Sequence, residues 1–222
     1  MNISVFKCLF VAFVFICQLS DAQPTKFGNW MVYNGTVNLP YKLQSTGEIH
    51  LRNYNAIGDI QQLLLRGHIG YPIANNNHIL SIGYAYIYNE DYIDNSDLKK
   101  SSQENRIFEQ YLYKFNINKA VFLNRWRLEQ RYLAAGQQLR LRSLLSVNYP
   151  IGKDKMDPKT WYFCSSNELF LKNTGELFDR NRFAIGLGYV QHKNLKVEIS
   201  IMNQALSSNN RNQLQIVLIN NL

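Results

Sequence analysis

Residues 125–142 read Arg-Trp-Arg-Leu-Glu-Gln-Arg-Tyr-Leu-Ala-Ala-Gly-Gln-Gln-Leu-Arg-Leu-Arg. Arg125, Arg127, Glu129 and Arg131 alternate with Trp126, Leu128 and Tyr132, and beyond a short Gly-containing break Arg140 and Arg142 alternate with Leu139 and Leu141. The period is two. A strand sends successive side chains to opposite faces, so this stretch predicts two strands, each with one charged and one bulky apolar face.

The same dyad recurs in nearly every segment. Residues 43–52 set Glu48, His50 and Arg52 against Leu43, Ile49 and Leu51; residues 60–71 set Gln62, Arg66 and His68 against Leu63, Leu65, Ile69 and Tyr71. Residues 78–88 oppose Ser81, Gly83 and Ala85 to Leu80, Ile82, Tyr84, Tyr86 and Tyr88. In 104–116, Glu104, Arg106, Gln110 and Lys114 share a face, while Glu109 falls among Ile107, Tyr111 and Tyr113 and calls for a bulge or a strand end above a membrane. Toward the C-terminus, Glu168 opposes Trp161, Phe163 and Leu169, Arg180 and Arg182 oppose Phe183, Ile185 and Leu187, and Lys196 and Glu198 oppose Leu195, Val197 and Ile199. With a first strand over 27–36 and a last at Leu214, Ile216 and Leu218, about eleven candidate strands emerge.

Several runs keep phase for ten residues or more, near the ~9–11 a tilted strand needs to cross a bilayer and longer than the strands of a soluble sandwich. The expected fold is all-β, a transmembrane antiparallel up-and-down barrel of about 10–12 strands; bacterial single-chain barrels have even counts, so 10 or 12 is the expected number. Short links at 37–42, 75–77, 116–119 and 192–194 read as turns at one end. Residues 89–103, 173–179 and 205–210 read as loops at the other, the first of them a mobile surface loop.

Residues 1–22 read as a cleaved secretory signal: Lys7, an apolar run over 9–17, and Ser20-Asp21-Ala22 before Gln23, leaving a barrel domain over 23–222. Loss of the signal removes Cys8 and Cys17 and leaves Cys164 without a disulfide partner in the chain. The net charge of +8 is dispersed rather than clustered, which points away from nucleic acid. Fourteen Tyr and 12 Phe against 5 Pro suit a β-rich membrane protein, and the expected location is the outer membrane of a Gram-negative bacterium.

A resemblance covers essentially the whole mature chain. Phe27-Gly28-x-Trp30, Gln61-Gln62-Leu63-Leu64-Leu65-Arg66, Glu104-Asn105-Arg106-Ile107-Phe108-Glu109-Gln110, Arg127-Leu128-Glu129-Gln130-Arg131, Asn167-Glu168-Leu169-Phe170, Met202-Asn203-Gln204 and Asn212-Gln213-Leu214-Gln215 resemble a family of Gram-negative outer-membrane barrels known as the domain of unknown function DUF2490. The resemblance implies the fold and the location and transfers no catalytic residues.

The candidate site is the charged interior: Glu48, Arg52, Arg66, Arg106, Arg125, Arg127, Glu129, Arg131, Arg140, Arg142, Glu168, Arg182 and Glu198, with Arg180 and Lys196 on the same faces. Glu129, Glu168, Glu48 and Glu198 are expected to pair bidentately with guanidinium groups and hold the wall in register. The surplus arginine makes a narrow anion-preferring, porin-like pore the first expectation for the role. A non-conducting structural or ligand-binding barrel is the second and a lipid-modifying enzyme the third. No Gly-x-Ser-x-Gly, His-Glu-x-x-His or paired-Cys motif occurs, and His50 and His68 read as network members, so no enzyme, cofactor or metal is expected. Asp91, Asp94 and Asp97 lack calcium-loop spacing and read as a solvated acidic loop. The expected partners are outer-membrane lipid and the barrel-insertion machinery, the latter through the C-terminal strand, around a monomeric barrel.

Overall fold

The computed structural model describes residues 28–55, 58–73, 77–93 and 96–222; the signal expected over 1–22, Phe27 and Asp94 lie outside them. Eleven strands follow one another: β1 (Gly28–Asn38), β2 (Gln44–Asn53), β3 (Ile60–Ile73), β4 (His78–Tyr92), β5 (Lys99–Ile117), β6 (Ala120–Leu133), β7 (Gly136–Pro150), β8 (Thr160–Lys172), β9 (Phe178–His192), β10 (Leu195–Leu206) and β11 (Asn210–Asn221). Each pairs antiparallel with its neighbours in sequence, and the sheet closes on itself. Between β1 and β2 the chain turns through one short 3-10 segment, Pro40–Lys42, with Tyr41 and Lys42 at positive φ.

The expectation of an even strand count is corrected by the seam. An odd number of alternating strands leaves the first and last pointing the same way, and β1 meets β11 in parallel, from Gly28 opposite Gln213 to Thr36 opposite Asn221. Parallel pairing is slightly weaker per residue, but it satisfies both edges. Gly28 therefore stands at one mouth, here the N-terminal mouth, and Asn221 at the other, the C-terminal mouth. The links expected to share an end, after β1, β3, β5 and β9, all lie at the C-terminal mouth, joined there by the longer β7–β8 connection.

Period-two patterning translates into an inverted distribution of polarity. The outward face carries Ile49, Ile69, Ile82, Leu128, Leu187 and Ile201, each between 39% and 60% exposed, and the inward face carries buried Glu48, Arg66, Arg127, Glu129, Arg142 and Glu168. Near the C-terminal mouth the outer wall turns aromatic. Phe115 stacks on Tyr113 and Phe122, and Trp161 packs on Tyr189.

Two local expectations are revised. Residues 89–103 are largely paired strand rather than a loop: β4 and β5 stay paired up to Tyr92 opposite Lys99, leaving only 93–98 as the connection. Lys99 anchors the hairpin to the β2–β3 loop through Asp59 at 2.6 Å, and the Tyr54 hydroxyl donates to Asp91. Glu109 needs no bulge and sits at no strand end. It lies mid-strand in unbroken register with Ile82 and Leu128, its side chain outward.

Candidate functional site: an arginine-rich chamber

Strand alternation alone brings the interior charges onto one surface, and closure of the barrel brings distant strands face to face. Glu129 on β6 sits at the hub, 1% exposed. One of its oxygens accepts Arg140 Nε at 2.9 Å and Nη2 at 2.5 Å; the other accepts Arg142 Nη1 at 2.6 Å. Arg140 lies directly opposite it on β7 and Arg142, opposite Arg127, reaches it diagonally from two residues further on, so register supplies both partners. Arg142 bridges onward to Glu168 of β8, whose Oε1 accepts its Nε and Nη2 and also Arg125 Nη2. Glu104 accepts the forks of Arg106 and Arg131. Across the lumen Glu48 of β2 accepts Arg66 at 2.7 Å, receives His50 Nε2 at 3.0 Å, and stands 3.8 Å from Arg127. Charge-assisted forks of this kind are strong and fix geometry, and in a buried setting they offset the desolvation of both ions.

Three of the four carboxylates expected to hold guanidinium groups do so. Glu198 does not: it lies nearer the C-terminal mouth and accepts the Tyr162 hydroxyl at 2.8 Å. Two further carboxylates join. Glu104 was readable from its phase with Arg106. Asp179 was not, because a register shift opposite Phe170 and Leu171 rotates it out of the dyad and turns it inward, where Arg140 and Arg180 each reach it at 3.1 Å. Aromatic rings also face inward among the guanidinium groups. Arg127 lies 4.4 Å from the Phe108 centroid, and Arg142 and Arg182 each lie 4.6 Å from that of Phe170.

The balance remains strongly positive. Arg52, Arg66, Arg106, Arg125, Arg127, Arg131, Arg140, Arg142, Arg180 and Arg182 face Glu48, Glu104, Glu129, Glu168 and Asp179, ten guanidinium groups to five carboxylates. Eight of the ten have a carboxylate within 4.0 Å. Among the described residues Arg52 and Arg182 have none: Arg52 stacks on Trp30 at 3.7 Å, and Arg182 donates to Gln204 at 2.8 Å while facing the same indole at 4.9 Å.

All of these charged residues but Arg127, Glu129 and Asp179 line a cavity of about 490 Å³ that runs from Gln61, Asn89 and Ser102 at the N-terminal mouth to Asn34, Leu144 and Ser166 and stops short of Tyr162 and Glu198. Arg127 and Phe108, each 1% exposed, do not line it, and nearer the C-terminal mouth Tyr162 and Val190 are buried, with Met156 of the β7–β8 connection packed against them. One side of the chamber is apolar, where Trp30, Val32, Ala184, Met202 and Val217 cluster beside the β1–β11 seam.

No curated protein and no solved structure matches the chain. A family model described as a protein of unknown function, DUF2490, matches residues 27–215, which takes in β1 to β10, the first half of β11 and the whole of the charged interior. The chain belongs to the DUF2490 family of proteins of unknown function.

Proposed function

We propose that this protein is an outer-membrane β-barrel that spans the lipid with its strands and holds anionic ligands in a chamber entered from the N-terminal mouth. The membrane reading rests on one observation, the apolar outer wall around a charged interior. Monomeric soluble proteins rarely expose a contiguous apolar patch beyond a few hundred Å², and a belt of Ile, Leu and Val with an aromatic girdle at one end suits hydrocarbon and its interface. Outer-membrane lipid is then the partner of that belt, and the alternating C-terminal strand is the segment offered to the insertion machinery.

The arginine excess that favoured a pore is still there, but the cavity stops short of the buried Tyr162, Val190 and Met156 cluster toward the C-terminal mouth, so a blind chamber is the reading the geometry supports better. The role is binding rather than catalysis: His50 is engaged by Glu48, and His68 stands 4.0 Å from the same carboxylate, so both belong to the charge network. Two measurements test this. Refolded protein is expected to migrate differently on a gel before and after boiling, and identical migration would overturn the membrane barrel. In planar bilayers no stepwise conductance is expected; steady anion-selective steps would restore the pore.

A further inference from the structure

Arg52 and Arg182 differ from the other interior arginines in lacking a carboxylate partner among the described residues. Arg52 is 9% exposed, and its Nε is buried without a hydrogen-bond acceptor. Arg180, Arg106, Arg142 and Arg66, all of its own sign, line the same cavity. Arg182 stands opposite Glu168 in the β8–β9 ladder but makes no ion pair with it, the Glu168 carboxylate being taken by Arg125 and Arg142. A guanidinium cannot escape such a setting by losing its proton, since it stays charged throughout the accessible pH range. Two like charges over one indole, both lining the chamber and neither with a carboxylate within 4.0 Å among the described residues, call for an anion beside them. The wall beside them is not polar: Trp30 continues into Val32, Ala184, Met202 and Val217, all of them lining the same cavity. At about 490 Å³ that cavity lies within the ~300–1,000 Å³ usual for small-molecule sites.

We propose that the chamber takes an anionic amphiphile, with its carboxylate or phosphate held by Arg52 and Arg182 and its single apolar chain lying along the Trp30 to Val217 wall. This rests on the reading of the chamber as an anion site and adds the class of ligand. Trp30 is the reporter, because Trp126 and Trp161 are on the outer face. In a variant carrying Trp126→Phe and Trp161→Phe, refolded in nonionic detergent, Trp30 emission is followed while hexyl phosphate, inorganic phosphate or hexanol is added. Hexyl phosphate is expected to give a saturable change at concentrations at least tenfold below those needed for either of the others. Arg52→Gln and Arg182→Gln are each expected to weaken it at least tenfold while heat-modifiable migration is retained.

If inorganic phosphate binds as tightly as hexyl phosphate, the amphiphile proposal falls and the anion chamber stands. Equal binding of hexanol removes the arginine pair from the site and overturns the proposal as well. Saturable binding of none of the three overturns the chamber reading itself. Should the arginine variants fail to fold, the comparison of the three ligands on the Arg52/Arg182 protein decides alone.

Discussion

Replacing Glu129 by alanine removes the hub of the interior network. The carboxylate is 1% exposed and accepts three hydrogen bonds between 2.5 and 2.9 Å from Arg140 and Arg142, with Arg106 and Arg127 within 3.9 Å. Removing one partner of a buried pair costs about 3–5 kcal/mol because the other charge stays buried and uncompensated. Here Arg140 keeps Asp179 and Arg142 keeps Glu168, which pulls the loss toward the lower end, about 3 kcal/mol. With a urea slope of about 2 kcal/mol/M, the unfolding midpoint of the refolded protein falls by about 1.5 M at constant slope. Glu109→Ala is the control. It removes a carboxylate of the same charge from the outer face, where it has no ion-pair partner among the described residues, and the midpoint is expected to stay or rise. A Glu129→Ala midpoint within about 0.3 M of the parent would refute the account of this residue as the hub, since the extrapolated cost would then lie below that of an ordinary hydrogen bond.

Leu128→Arg places a charge in the middle of the outer belt and should lower the yield of heat-modifiable protein on refolding into vesicles, with a cost of about 2–4 kcal/mol; undiminished yield would count against lipid contact there. Gly186→Ala drives a methyl to 2.1 Å from the Ile199 carbonyl oxygen, a backbone atom that cannot step aside, and should cost about 1–3 kcal/mol in the same urea assay. Gly67→Ala meets nothing within 4 Å and should be nearly silent; equal effects from the two glycines would contradict the packing described. Lys119 in the β5–β6 turn pairs with Asp154 of the β7–β8 connection and holds its carboxyl below the usual carboxylate range. A depressed carboxyl contributes stability above its unfolded value and loses it as pH falls through the folded one. Because both groups are solvent-exposed and screened, Lys119→Ala should shift the midpoint and its acid dependence only slightly.

What was readable in the residues follows from period two. A dyad fixes the face of every side chain along an unbroken strand, so the inward placement of Arg125 to Arg131, Arg140, Arg142 and Glu168 could be read without coordinates. It fails where the chain slips phase, as at Asp179, and it says nothing about depth along the axis, which is why Glu198 was grouped with arginines it never meets. Parity misled for a related reason: the number of strands constrains the direction of the seam, not its existence. The polar stretch around Asp91 and Lys99 looked like a loop because it lacks an apolar face, yet pairing beyond the barrel wall needs none. Trp30 carried no signal that its ring faces inward, since an indole suits either an interfacial girdle or a stacking site for Arg52.

The parallel seam separates the two ends of the barrel. In a barrel of even count the first and last strands meet as a hairpin would, and a short linker could join them and let the chain be reopened elsewhere. Here residue 28 and residue 221 lie at opposite rims, so any such circular permutant must carry a linker as long as the wall is tall. With the strands spanning lipid as proposed, epitopes placed just before residue 28 and just after residue 221 would accordingly be reached by antibody from opposite faces of a sealed vesicle, never both from one.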